Sequence, residues 1–294
     1  MIKTYCGFVS IVGRANVGKS TLFNTLLSKQ LSIATHKPQT TRHNIRGILS
    51  TKSHQLILLD TPGIQLGNKR LINKVLINNA LSSLQEADVV IMVAEMNRWN
   101  DEDDYLLEQI KQINLPVVLV INKIDRIKDK TDLLPVIEFV KQKHEFIDII
   151  PISALHDRNM DILTKTLCDQ MPESVFLFPE DATWDRDENF IVSEIVRGAA
   201  ITQLHKELPY AIYTEVENID FDEELITLDV IIWVEKDSQK AIVIGKKGAK
   251  LKAIGEQARK RLERIFANKV MLKTWVKVKQ NWQDQQDIVA QFEN

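Results

Sequence analysis

A chain of 294 residues with 44% hydrophobic and 27% charged residues is long for one compact domain and comfortable for two, each with its own core. That balance excludes a disordered chain, and no run approaches the roughly 20 apolar residues of a membrane span. The opening Met1-Ile2-Lys3-Thr4-Tyr5 leads into a strand pattern rather than a signal peptide, and two cysteines, Cys6 and Cys168, exclude a disulfide framework or a four-ligand zinc site.

From Tyr5 to Cys168 short apolar runs alternate with amphipathic stretches, the pattern of βα units around a parallel sheet. Strands are expected over 7–12, 45–50, 55–60, 89–94, 117–122 and 147–152, with helices over 19–27, 71–84, 103–113, 133–143 and 161–168. Runs such as Leu56-Ile57-Leu58-Leu59 and Val117-Val118-Leu119-Val120-Ile121 demand burial on both faces, so the fold class expected is α/β, doubly wound. Periodicity stops between Met171 and Glu188, where Pro172 and Pro179 bracket Glu173 to Phe178 and five acids follow. Beyond it come a helix over 190–204, strands over 211–216 and 225–234, a helix-loop-helix reaching Phe266, and a strand over 270–278. The order α-β-β-α-α-β makes a smaller α+β domain. The expected division is therefore a first, α/β domain over 1–171, a linker over 172–188 and a second domain over 189–294.

Gly13-Arg14-Ala15-Asn16-Val17-Gly18-Lys19-Ser20, followed by Thr21, fits GxxxxGK[ST] between an apolar strand and a helix. Glycines let backbone N–H groups turn inward around phosphates, the helix N-terminus adds partial positive charge, Lys19 neutralises β and γ oxygens, and Ser20 ligates magnesium. Asp60-Thr61-Pro62-Gly63 ends another apolar strand, which places an acid for magnesium and the Gly63 N–H for a γ-phosphate. Asn122-Lys123-Ile124-Asp125 ends a third strand. The Asp125 carboxylate can accept from guanine N1–H and N2–H₂, which adenine lacks; Lys123 would lie over the ring, and Asn122 would tie this loop to the first. Ser153-Ala154-Leu155 would supply the Ala154 N–H for guanine O6. GTP and GDP, with magnesium, are the ligands these motifs imply.

The net charge of −2 is unevenly spread: residues 246–279 hold twelve Lys and Arg against two Glu, a local +10 that leaves −12 elsewhere. Such a block is the footprint of a polyanion-binding face. Within it, Ile244-Gly245-Lys246-Lys247-Gly248-Ala249-Lys250 places GxxG between two helical patterns, as in the loop of a KH domain, where glycines admit a nucleic-acid backbone and lysines meet its phosphates. Ile242, Ile244 and Leu251 are candidates for core or for an apolar base groove, with core the expected role. Trp233 and Trp275 read as packing residues.

Gly13 to Ser20, Thr40-Thr41, Asp60 to Gly63, Asn122 to Asp125 and Ser153 to Leu155 resemble the five sequence boxes of translation-factor-type and Ras-type GTPases. Pro38-Gln39-Thr40-Thr41-Arg42-His43 is similar to the first switch of the Era family of bacterial ribosome-assembly GTPases, and a GTPase domain followed by a type II KH domain covers nearly the whole chain in that pattern. The resemblance implies a catalytic set of Lys19, Thr41 and Gly63, a metal set of Ser20, Thr41 and Asp60, and Thr41 rather than Thr40 as the switch ligand. It also implies a small-subunit ribosomal RNA partner during subunit assembly and a peripheral contact with anionic inner membrane; a monomer is expected, and the two cysteines fit a reducing cytoplasm. One departure matters: Ile64 follows Gly63 where Ras-type enzymes carry a water-positioning glutamine, so hydrolysis should be slow alone. Asn16 matches an asparagine that resembles a potassium ligand in related enzymes, and a P-loop turn residue in left-handed geometry explains it equally well. Arg14, Arg42 and His43 read as structural before catalytic. Two other readings compete: a GTPase docking on anionic lipid through its basic domain, and a P-loop kinase using ATP, against which Asn122 to Asp125 argues.

Overall fold

The computed structural model describes residues 3–29, 31–33, 41–66, 70–96, 98–127, 129–204, 208 and 211–292. Two compact units emerge, Met1–Asp185 with Gln291–Asn294, and Arg186–Ala290.

The first unit is built on strands β1 (Tyr5–Val12), β2 (Ile45–Ser50), β3 (His54–Asp60), β4 (Val89–Glu95), β5 (Val117–Asn122) and β6 (Asp148–Pro151), in the order β2-β3-β1-β4-β5-β6. Between them run helices α1 (Lys19–Leu26), α2 (Leu71–Gln85), α3 (Asp101–Ile113), α4 (Leu133–Lys141) and α5 (Met160–Cys168). Every residue of β4 and β5 is buried, as continuous apolar strands covered on both faces must be. One expectation is corrected: β2 runs antiparallel to β3, because three residues join them, far too few for a crossover. Thr51 closes that turn, its N–H donating to the His54 carbonyl at 2.8 Å.

Helix α3 starts at Asp101, before the apolar pattern begins, because Asn100 and Asp103 form a capping box. Its N-terminal acids complement the helix dipole. Connections diverge at β1, with β3 on one side and β4 on the other, so the carboxyl ends of the parallel strands frame the crevice where doubly wound sheets bind ligands.

The second unit has helices α6 (Glu188–Gln203), α7 (Asp237–Ile244) and α8 (Ala249–Phe266), and strands β7 (Tyr213–Phe221), β8 (Leu225–Val234) and β9 (Lys269–Val278). The sheet order is β7-β8-β9, antiparallel then parallel. Strand β7 outlasts its apolar pattern because a bulge between Val216 and Asn218 breaks the alternation that marks strands in sequence. Alternate residues of β8 from Ile226 to Val234 are buried, as are Ile254, Ala258 and Leu262 at helical spacing on α8. Trp282, fully buried, donates its indole N–H to the Ala211 carbonyl at 3.0 Å and packs on Tyr213, closing the far end of this core.

Candidate functional site

Strand β1 delivers the chain into a tight loop whose glycines are there for space. A Cβ on Gly13 would lie 2.5 Å from the Val93 carbonyl oxygen, one on Gly63 would lie 2.8 Å from the Ala15 Cα, and one on Gly18, at φ 105°, would collide with the Asn122 side chain. Val17 packs in the core, leaving the loop's backbone to face the crevice. Lys19 is buried, its ammonium donating to the Gly13 and Arg14 carbonyls at 2.9 Å each. Burial pushes its pKa down to about 8 against the opposing pull of Asp60. Thr21 follows it on α1, half-buried.

Ser20, Thr41 and Asp60 converge. The Ser20 and Thr41 hydroxyls are 2.9 Å apart, Thr41 donates to Asp60 Oδ2 at 3.3 Å, and Ser32 donates to the same oxygen at 2.6 Å. Asp60 Oδ1 is buried with no hydrogen-bond partner among the described residues, which is costly unless something arrives to meet it. Two hydroxyls and an unsatisfied carboxylate oxygen are the oxygen donor set that suits magnesium. Burial raises the Asp60 pKa, opposed by the Ser32 hydroxyl and by Lys19. Thr40, with Pro38 and Gln39, lies outside the described residues.

Thr61 donates to the Ile11 carbonyl at 2.8 Å and holds the turn before Pro62 and Gly63. Ile64 is 1% exposed and packs with Val12, Leu84 and Leu106. The position that would orient water in a glutamine-bearing enzyme is thus part of the core. Arg14 pairs with the buried Asp103 at 3.1 Å and donates to the Arg98 carbonyl at 2.9 Å, which makes it an anchor between the loop and the α3 cap. Asn16 adopts φ 66°, the left-handed turn geometry, and is exposed.

Asn122 is the knot of the base-binding end. Its Nδ2 donates to the Val17 carbonyl at 2.9 Å, and its Oδ1 accepts from the Lys123 N–H at 2.7 Å and the Ala154 N–H at 3.1 Å. The last bond brings the Ala154 N–H, expected from sequence to meet guanine O6, to the same side chain that ties this loop to Val17. Asp125 is half-buried and accepts from the Ser153 hydroxyl. Burial pushes this carboxyl up, but hydrogen bonds from Ser153 and from its own backbone amide outweigh that and hold it below the usual range, ionised and ready to accept. Leu155 is exposed.

In the second unit α7 ends at Ile244, Gly245 and Gly248 take φ 72° and 77°, Lys247 takes φ 52°, and α8 begins at Ala249. A Cβ on Gly245 would press on Lys250 at 2.7 Å, whereas one on Gly248 would meet nothing within 4 Å. Gly248 thus serves the left-handed turn while its outward side stays open. Lys246 and Lys247 are exposed at the N-terminus of an 18-residue helix, where dipole and lysine charge add. Ile242 is 45% exposed rather than core, because Val243 occupies the inward position of α7; Ile244 and Leu251 are half-buried at the loop's edge. Trp233 stacks on Tyr213, as a packing residue should, but Trp275 is 41% exposed.

A phosphate loop, an acid-hydroxyl metal set and an Asn-Lys-x-Asp base loop on a doubly wound sheet, followed by a GxxG domain, define a P-loop GTPase joined to a KH domain. The family described as 50S ribosome-binding GTPase matches residues 8–123, and the KH domain family matches residues 207–283. The chain belongs to the GTPase Era family and is a GTPase: it is 43% identical over 279 residues to GTPase Era of Pseudomonas aeruginosa, covering 95% of this chain and 92% of the relative. GTPase Era of Yersinia pestis is 44% identical over 283 residues, covering 96% and 93%. Among solved structures, Era in complex with MgGDPNP and nucleotides 1506–1542 of 16S ribosomal RNA is similar with a TM-score of 0.95 at 38% identity, covering 98% of each chain. A single-substitution variant of Aquifex aeolicus Era bound to GDP.AlF4⁻ is similar with a TM-score of 0.95, also at 38% identity, covering 98% and 99%.

Proposed function

We propose that this GTPase is a GTP-switched RNA-binding factor that engages small-subunit ribosomal RNA through residues 189–294 and acts in assembly of the small ribosomal subunit in the cytoplasm. The observation that carries this reading is the match over 98% of the chain to Era crystallised with MgGDPNP and a 16S ribosomal RNA segment. The open Gly245-Lys246-Lys247-Gly248 turn supports it locally, with phosphates meeting the lysines and the N-terminus of α8.

For hydrolysis, residues 13–21 would hold the phosphates, Ser20, Thr41 and Asp60 would hold magnesium, and the Gly63 N–H would serve the γ-phosphate. Bound magnesium supplies charge neutralisation for the transferring phosphoryl group. Lys19 adds a second positive charge from inside the loop. With Ile64 in the core, no side chain from that position orients water, so positioning falls to backbone groups and to Thr41. Asp125 reads the guanine edge, Lys123 covers the ring, and Asn122 keeps both in register with Val17.

Connections within the first unit support a switch. Trp184 bridges to Gly47, the Ile48 N–H donates to the Thr183 carbonyl at 3.0 Å, and Arg46 pairs with Asp185 at 3.2 Å. Phe292 lies against His43 with ring centroids 5.1 Å apart, its carbonyl accepting from Asn79 at 2.5 Å. The first unit gives way to the second after Asp185 and resumes at Gln291, and these contacts fasten both flanks to residues that follow Thr41 in the chain, from His43 to Ile48. Ordering Thr41 on GTP would pull on both. The test is crosslinking in cells followed by sequencing of the attached RNA. Reads concentrated in small-subunit ribosomal RNA are expected, and reads spread without preference would overturn the reading.

A further inference from the structure

Glu95 belongs to none of the nucleotide-binding motifs, yet it ends β4 directly across from Asn122 on β5. Its side chain is 6% exposed and receives three cations: Lys123 at 2.9 Å, Arg126 at 3.2 Å and Arg98 at 3.6 Å. Exposure ranks them. The arginine side chains are 55% and 67% exposed, so water screens their pairing, whereas Lys123 is 20% exposed and shares the shelter of the carboxylate. The Lys123 ammonium also donates to the Asn16 carbonyl at 2.6 Å. It is thus held at two oxygens, one on the phosphate loop and one on β4, with its alkyl stem spanning the gap.

A lysine on a four-carbon stem ordinarily samples many rotamers, and a ligand that needs it in one of them bears the cost of ordering it. We propose that Glu95 is a positioning residue for nucleotide retention, fixing Lys123 across the base site before guanine arrives. The inference rests on the placement of Lys123 against the base given above. Glu95 touches no part of the nucleotide; its effect passes through Lys123. The two arginines shield the outer face of the carboxylate and have no part in retention.

The experiment is release of a fluorescent GDP analogue from the full chain by stopped flow, with thermal melting of each variant alongside. Glu95→Gln keeps the shape and removes the charge, and release should quicken about tenfold, within the range of a coupled pair. Lys123→Met should quicken release at least as much, and Glu95→Gln added to Lys123→Met should change nothing more. Glu95→Asp, which keeps a charge for the arginines and guards against loss of folding, should also quicken release, again only where Lys123 is present. Arg98→Ala with Arg126→Ala should release at the parent's rate. Parental release by both Glu95 variants, or equal acceleration by Glu95→Gln in the Lys123→Met background, would overturn the inference. If Lys123→Met alone released at the parent's rate, the base-site assignment would fail and the inference with it; a fast Lys123→Met beside slow Glu95 variants sinks the inference alone.

Discussion

Gly13 to Ser20 and Gly245 to Gly248 are both glycine turns that feed a helix N-terminus, yet they differ in what surrounds them. In the first, Cβ positions run into Val93 and Asn122, and its lysine is 6% exposed. In the second, Gly248 opens outward and both lysines are exposed. A closed turn fixes donors in a sheltered site, where each hydrogen bond is strong and each misplacement costly. An open turn offers charge and clearance to a larger ligand, and salt weakens it. The same local geometry thus suits a small molecule in one unit and, in the proposed function, a polymer backbone in the other.

The comparison breaks most visibly at the paired glycines. Gly18→Ala should lower GDP affinity on the order of a hundredfold, since it adds left-handed strain of about 1–2 kcal/mol to a collision that shifts Asn122. Gly248→Ala incurs only the strain, so RNA binding should fall by about thirtyfold at most. Nucleotide titration and RNA filter binding of the two variants measure the contrast. Asp125→Asn should weaken GTP by tens of times and turn preference toward xanthosine nucleotides, because an amide can donate to the extra carbonyl; equal guanine affinity in a titration would remove Asp125 from base reading. Exchanging sodium for potassium at constant ionic strength should raise hydrolysis several-fold through Asn16, a range set by one added cation contact. Equal rates in a phosphate-release assay would leave Asn16 as a turn residue. The smallest effect is at the open loop, where Lys246→Ala should make the slope of log K against log salt shallower by about 0.7, one phosphate contact on a single strand, with sequence preference intact.

The sheet's strands and the four nucleotide motifs that end strands, the switch box at Thr40-Thr41 apart, are legible in the sequence alone, because continuous apolar runs and fixed spacings have few physical explanations. It carried the GxxG loop for the same reason, with flanking helices and the local charge narrowing the choice. It missed what depends on partners distant in the chain. The use of the Ala154 N–H by Asn122 is a bond across 32 residues with no local mark. Glu95 looks like one more strand-end acid until its three cations are in place. Residues 172–185 lack periodicity, yet Gln55 holds them by accepting from the Leu177 and Phe178 amides at 2.9 and 3.0 Å, an interaction that pattern cannot show. The short helical turns over 282–292 were unreadable because each is too brief to display a period, although Trp282 among them is fully buried. The choice of Thr41 over Thr40 rests on resemblance alone: Thr41 lies beside Ser20 and Asp60, and Thr40 is outside the described residues.

The most direct test of two separable sites, one closed around a nucleotide and one open to RNA, is filter binding of a single-stranded fragment from the 3′ region of small-subunit ribosomal RNA. Parent and Gly248→Asp full-length chains are compared over a salt series, with GTP titrated on the same preparations. The substitution places a negative side chain into the open space at φ 77°, where nothing stands within 4 Å of the Cβ position. RNA binding should fall by more than about tenfold at low salt, one repelled phosphate contact and left-handed strain together, while GTP affinity stays at the parent's value. Gly248→Asp binding RNA as tightly as the parent would contradict the account: the loop would be a structural turn, and the basic block of residues 246–279 would need another polyanion.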